Sequence, residues 1–144
     1  MAGLLLGGVM LSFGMASAQQ AGDTDQLRTL GQCRGCSFEK LELNGRRMMG
    51  VNLTEARFRD VDFSQTGMNI AIFDFAVLEN VSFASADLNG VSFRGARLIN
   101  VSFENADLRG AVFEDATVEG TDLQAGNLCN TQMPNETMDN SDCD

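Results

Sequence analysis

The sequence predicts an all-β solenoid: a chain that closes a four-sided coil every twenty residues and stacks about five such coils. Three observations carry this reading. From Cys36 to Asn135 the residues repeat in fives without an insertion, giving twenty units. The third residue of every unit is Phe, Leu, Met or Val, the first is Ala or Val in thirteen of twenty, and the fifth is Gly, Asn or Asp in thirteen of twenty. Read at intervals of twenty, the phenylalanines sort into columns.

A period of five fits neither regular element. Five residues advance an α-helix by roughly 500°, so the apolar position would drift about 140° per unit and form no stripe. On a continuous strand an odd repeat would flip the large residue to the opposite face each time. The pattern works when three residues alternate in, out, in and the next two turn a corner. Gly, Asn and Asp are the residues that tolerate the positive φ of a tight corner. Four corners then close one coil.

Residues twenty apart should lie one above another at about 4.8 Å. One wall carries Phe63, Phe83 and Phe103 between Leu43 and Leu123, and the facing wall carries Phe73, Phe93 and Phe113 between Leu53 and Met133. The other two hold Met48, Met68, Leu88, Leu108, Leu128 and Phe38, Phe58, Leu78, Leu98, Val118. These are the expected core ladders. Arg46 breaks the rule at a first position, which implies a bulge or an outward turn, and it forms a candidate basic cluster with Arg47, Arg57 and Arg59.

Units such as Ala86-Asp-Leu-Asn-Gly and Ala106-Asp-Leu-Arg-Gly resemble the A(D/N)LxG pattern of the pentapeptide-repeat family, over residues 36–135, about seventy per cent of the chain. The resemblance implies a right-handed quadrilateral β-helix. The tail Cys129-Asn-Thr-Gln-Met-Pro-Asn-Glu-Thr-Met-Asp-Asn-Ser-Asp-Cys143 is similar to the ending of exported bacterial members, with Glu136 where the family has Gly.

Four segments follow. Residues 1–18 read as a signal peptide: an apolar run of twelve from Leu4 to Met15, then Ala16-Ser17-Ala18, with cleavage leaving Gln19 first. The run is too short to span a bilayer and no second one exists, so no stable membrane insertion is expected. Residues 19–35 form an N-terminal cap, where Asp23-Thr24-Asp25 should start a short helix that lays Leu27 and Leu30 over the first coil and stops at Gly31. Residues 36–135 are the repeats, and 129–144 a C-terminal capping loop containing Pro134, the chain's only proline.

The four cysteines agree with an oxidising compartment. A bond between Cys129 and Cys143 would close a loop of fifteen residues, worth about 3 kcal/mol in the chain-entropy model. Cys33-Arg-Gly-Cys36 reads as a structural disulfide tying the cap to the first coil, or as a redox pair. A Cys₄ zinc site is excluded. Five coils put the two pairs roughly 20 Å apart, far beyond a Zn–S bond of ~2.3 Å.

With no histidine, the chain lacks Ser-His and Cys-His nucleophile pairs and histidine metal ligands, and neither catalysis nor a cofactor is expected. The net charge is −10, and beyond residue 60 only Arg94, Arg97 and Arg109 face fourteen acids, which leaves that stretch at −11. Such a field repels nucleic acid and anionic membranes and attracts basic partners. The outward column Ser37, Arg57, Val77, Arg97, Thr117 is not an ice-binding threonine array, and Asp62, Asp87, Asp107 and Asp122 are too scattered for a calcium loop.

Ile70, Ile72, Phe75 and Val77 occupy second or fifth positions and should face outward. That clustered apolar patch suggests a protein partner or self-association; an aromatic corner packed over Gly95 is the other reading. The expected function is a non-catalytic binding or structural module, periplasmic or secreted from a bacterium. The alternative, implied by the family, is an acidic DNA mimic that binds DNA gyrase, a role the signal peptide opposes. A thiol–disulfide role for Cys33 and Cys36 is third.

Overall fold

The computed structural model describes residues 10–144. After helix α1 (Met10–Leu30) the chain winds through five short strands, β1 (Ser37–Glu42), β2 (Arg57–Asp62), β3 (Val77–Glu79), β4 (Arg97–Ile99) and β5 (Thr117–Glu119). These form one parallel sheet in chain order, and every pairing has a register of twenty, as in Ser37 opposite Arg57 and Arg57 opposite Val77. The other three walls hold parallel bridges at the same interval: Asp62–Ser82–Ser102, Arg47–Gly67–Asp87–Asp107–Asn127, and Gln32–Asn52–Ile72–Ser92–Val112–Gln132. Four walls and a twenty-residue step define a four-sided β-solenoid.

The corners make the walls. Every fifth residue from Gly35 to Gly120 has a positive φ, between 52° at Asn100 and 72° at Gly45 and Gly110. Most of these corners, up to Gly110, stay hydrogen-bonded along the stack; Phe75 N donates to Arg94 O at 2.9 Å and Gly95 N to Glu114 O at 2.9 Å. Turning the backbone there keeps the corner amide paired.

The inward positions are as the pattern requires. All third-position residues from Leu53 to Phe113 are at most 1% exposed. Phe63, Phe83 and Phe103 stack with centroids 5.2 and 5.5 Å apart, and Phe73, Phe93 and Phe113 with 5.1 Å at both steps. The two columns also meet edge to face across the interior, at 5.6 Å between Phe73 and Phe83 and 5.8 Å between Phe83 and Phe93. Val118 departs from the inward rule. It lies on β5, the last strand of the sheet, and is 37% exposed because no further strand covers it.

The N-terminal cap differs from expectation. Asp23-Thr24-Asp25 lies inside α1 and does not begin it. Asp23 has no role at a helix start because its carboxylate serves another element: one oxygen accepts from Ser37 N at 2.8 Å and the other from Gln19 Nε2 at 2.8 Å. Gln20 donates to Glu39 O (3.0 Å) and accepts from Glu39 N (2.7 Å), so its amide imitates the strand that β1 lacks on its open edge. Leu27 is buried over the first coil, and Gly31 (φ 66°) ends the helix with its N–H on Leu27 O at 3.0 Å. Residues 1–9 of the expected signal peptide lie outside the described residues. Among the described residues no helix is long and apolar enough to cross a membrane.

At the other end a single 3₁₀ turn, Leu123–Ala125, is followed by an antiparallel hairpin of β6 (Thr131–Gln132) and β7 (Met138–Asp139). Cys129 and Cys143 are bonded. Glu136 takes φ 72°, in the left-handed region that glycine adopts more readily.

Candidate interaction surface

The disulfide Cys33–Cys36 does something other than join cap to coil. Cys33 N donates to Asn52 O at 2.8 Å and Gly35 N to Thr54 O at 2.9 Å, the bonds that Leu53 and Glu55 make one coil on. The ladder thus begins at Gln32, and Gly31-Gln-Cys-Arg-Gly35 is already a repeat unit. Cys33 fills a third position and Cys36 the next first position, so the bond staples the first corner from inside. The signal was present in the sequence, since Gly35 stands at a fifth position, but Cys33 is not the Phe or Leu expected two residues earlier.

The candidate arginine cluster divides. Arg57 and Arg59 project from the β2 wall, whereas Arg46 and Arg47 stand two units earlier, on the opposite wall. Arg46 is exposed, the outward turn its position implied.

The four apolar residues come together. Ile70 and Phe75 sit on the two corners that bound the wall carrying Ile72, and Val77 begins the next wall. Ile70 and Phe75 are each 59% exposed, while Ile72 and Val77 are half-buried. Met49, 67% exposed and just before the Gly50 corner one coil below, was not singled out by the repeat pattern. Polar side chains rim the patch: Asp74 accepts from the Ser92 hydroxyl, and Arg94 pairs with Glu114.

Both corner residues hold a backbone that suits neither. Ile70 has φ 54° and Phe75 φ 59°, in the left-handed region where a Cβ crowds the backbone at a cost of roughly 1–2 kcal/mol. Each lies across glycine. Ile70 is flanked by Gly50 and Gly90, and a Cβ on Gly90 would stand 3.3 Å from Ile70 Cγ2. A Cβ on Gly95 would stand 2.6 Å from Phe75 Cδ1 and Cε1. The Phe75 ring therefore does pack over Gly95, and its outer face is still open.

Gly95→Ala should cost about 2 kcal/mol, from the left-handed backbone and from dislodging the ring. In a Phe75→Ala background the ring is gone and about 1 kcal/mol should remain. Denaturant unfolding of the four proteins in a double-mutant cycle checks this; strictly additive losses would mean that the ring and Gly95 do not interact.

Resolved shifts in acidity lie elsewhere, and each favours the charged form of its group. The Arg109 guanidinium beside Asp107 holds that carboxyl below its usual range. Asp139 is lowered by the hydroxyl and backbone of Ser141 and by Gln124. A group held ionised in this way suits a structural contact and not a proton donor near neutral pH.

A repeat built from five-residue units, a four-sided coil and left-handed corners define the class. The family model of pentapeptide repeats (8 copies) matches residues 32–67, 76–115 and 86–124. The chain belongs to the pentapeptide-repeat family. Among solved structures it is similar to a pentapeptide repeat protein (Rfr23) from the cyanobacterium Cyanothece 51142, at 22% identity and TM-score 0.46, over 79% of this chain and 96% of that one. It is also similar to QnrB1, a plasmid-mediated fluoroquinolone resistance protein, at 17% identity and TM-score 0.49, over 71% of this chain and 57% of that one. A third is a pentapeptide repeat protein from the Arabidopsis thaliana thylakoid lumen, at 23% identity and TM-score 0.41, covering 74% and 68%. No curated protein matches the chain.

Proposed function

We propose that this chain is a non-catalytic protein-binding module, exported by a bacterium to the periplasm or the medium, whose contact surface is the patch around Ile70 and Phe75. Pentapeptide-repeat proteins serve as structural or protein-binding modules, which sets the general role. One observation supports the surface most: two large apolar side chains stand 59% exposed at corners where Gly or Asn would fit without strain. Neither reaches the dry interior, and beyond their seats on the glycine corners both keep an open outer face that a partner could cover. A rim of polar groups around an apolar centre is the anatomy of a binding patch.

Phe75→Ser should leave unfolding nearly unchanged and abolish capture of the protein that the parent retains from an envelope extract. Equal capture and equal sedimentation by both proteins would sink the assignment. Cell fractionation tests the compartment: the export reading requires a periplasmic or secreted protein beginning at Gln19.

A second reading, an acidic DNA mimic that binds a topoisomerase such as DNA gyrase, is favoured by the charge of −11 beyond residue 60. Inhibition of gyrase supercoiling by the purified chain would support it, and a cytoplasmic location would support it over the first.

A further inference from the structure

Asp23 is the only buried carboxylate among the described residues, at 4% exposure, and it takes part in none of their ion pairs. A carboxylate in such a place is normally matched by a cation. Cys33 and Cys36, both buried, lie beside it: one ligand atom from each of the three falls within 4.8 Å of the others. We propose that, once the Cys33–Cys36 disulfide is reduced, the two thiolates and the Asp23 carboxylate bind a thiophilic divalent cation of the zinc type.

The geometry is held by the solenoid and not by the sulfur–sulfur bond. Cys33 N is fixed by Asn52 O at 2.8 Å, and Cys36 O accepts from Arg57 N at 2.8 Å, so reduction leaves both residues on the ladder. Their Cα atoms are 5.4 Å apart. Two Zn–S bonds of ~2.3 Å at a tetrahedral angle need sulfurs roughly 3.8 Å apart, which side-chain rotation alone can supply. Each Asp23 oxygen accepts one hydrogen bond and keeps a lone pair for the ion.

The chemistry balances. A dithiol reductant gives two electrons and two protons to the disulfide and is itself oxidised to a disulfide. The cation then displaces the two thiol protons and bonds both sulfurs and one Asp23 oxygen, with water in the fourth position. The site is distinct from the excluded Cys₄ arrangement, because Cys129 and Cys143 take no part.

The test uses cadmium ion as the probe on a Cys129→Ser/Cys143→Ser chain, read by the thiolate-to-cadmium charge-transfer absorption. Expected is one cadmium per chain after reduction and none before it. Asp23→Asn keeps an oxygen for Ser37 N, and the Gln19 amide can turn its own oxygen toward the new NH2 group, so the oxidised variant should melt near the parent. Its reduced form should bind cadmium at least about tenfold more weakly, the lower bound seen when a partner group around a metal is lost. Should the double serine variant not fold, the unsubstituted chain and Asp23→Asn, both reduced, give the same comparison, since the C-terminal thiols are common to both. No cadmium band in a reduced chain that stays folded would overturn the proposal. So would equal affinity in the Asp23→Asn chain, or a reduced chain that unfolds and is not restored by cadmium.

Discussion

Phe83→Ala should lower the free energy of unfolding by about 3–5 kcal/mol, the usual loss for a buried aromatic ring replaced by a methyl group. Phe83 is fully buried and touches four other rings: it stacks on Phe63 and Phe103, and meets Phe73 and Phe93 edge to face. Removing it breaks its own column and takes away its edge-to-face contacts with the facing one. The walls cannot close over the gap, because each is pinned by ladder hydrogen bonds to the coils above and below; Phe83 N donates to Ser102 O at 2.8 Å, and Ser82 N to Val61 O at 3.2 Å. A solenoid coil is stabilised only by its neighbours, so a weak middle coil uncouples the two halves. Val118→Ala is the matched control. That residue has the same repeat position but is 37% exposed, and should lose no more than about 1 kcal/mol. Urea unfolding of both variants decides it, and losses of equal size would contradict the packing described here.

The interior was legible because position in the repeat determines depth. The third positions that the sequence put inside are inside from Leu53 to Phe113, and the two phenylalanine columns are contiguous. Corners were legible only where Gly, Asn or Asp marked them. Lys40, Glu55, Gln65, Ile70, Phe75 and Ser85 take the same left-handed backbone without a local preference for it. Their conformation is imposed by the ladder, since each corner amide must meet a carbonyl twenty residues or so away. No local signal reports that.

The cap was the least legible part for the same reason. Gln20 and Asp23 find their partners in Glu39 and Ser37, nineteen and fourteen residues ahead, across a gap that no periodicity bridges. Read locally, Asp23-Thr24-Asp25 is a good helix start. In the fold Asp23 satisfies the open edge of β1, and the helix simply continues through it. The apolar patch lies between these extremes. Its outward facing followed from position in the repeat, whereas the seat of Phe75 on Gly95 depends on residues twenty apart sharing a corner.

Replacing both Cys129 and Cys143 by serine should cost about 3 kcal/mol, the chain-entropy value for a loop of fifteen residues. The corner disulfide Cys33–Cys36 closes four residues, and the same relation gives about 2 kcal/mol for its loss. The C-terminal bond also has more to hold. Without it the tail depends on the short hairpin and on local contacts: Leu128 N on Asp142 Oδ2 at 2.9 Å, Asp142 N on Leu128 O at 2.8 Å, and Asn130 N on Asn140 Oδ1 at 2.7 Å. The hairpin joins two strands of two residues each, too little to be stable alone. The last coil should then fray first, releasing Leu128 and Thr131, whose hydroxyl now donates to Leu108 O at 2.8 Å inside the solenoid. Amide exchange should accelerate from Leu128 to Cys143 and stay slow in the central coils. A loss below about 1 kcal/mol with unchanged exchange in the tail would mean that the loop closes the solenoid without its covalent link.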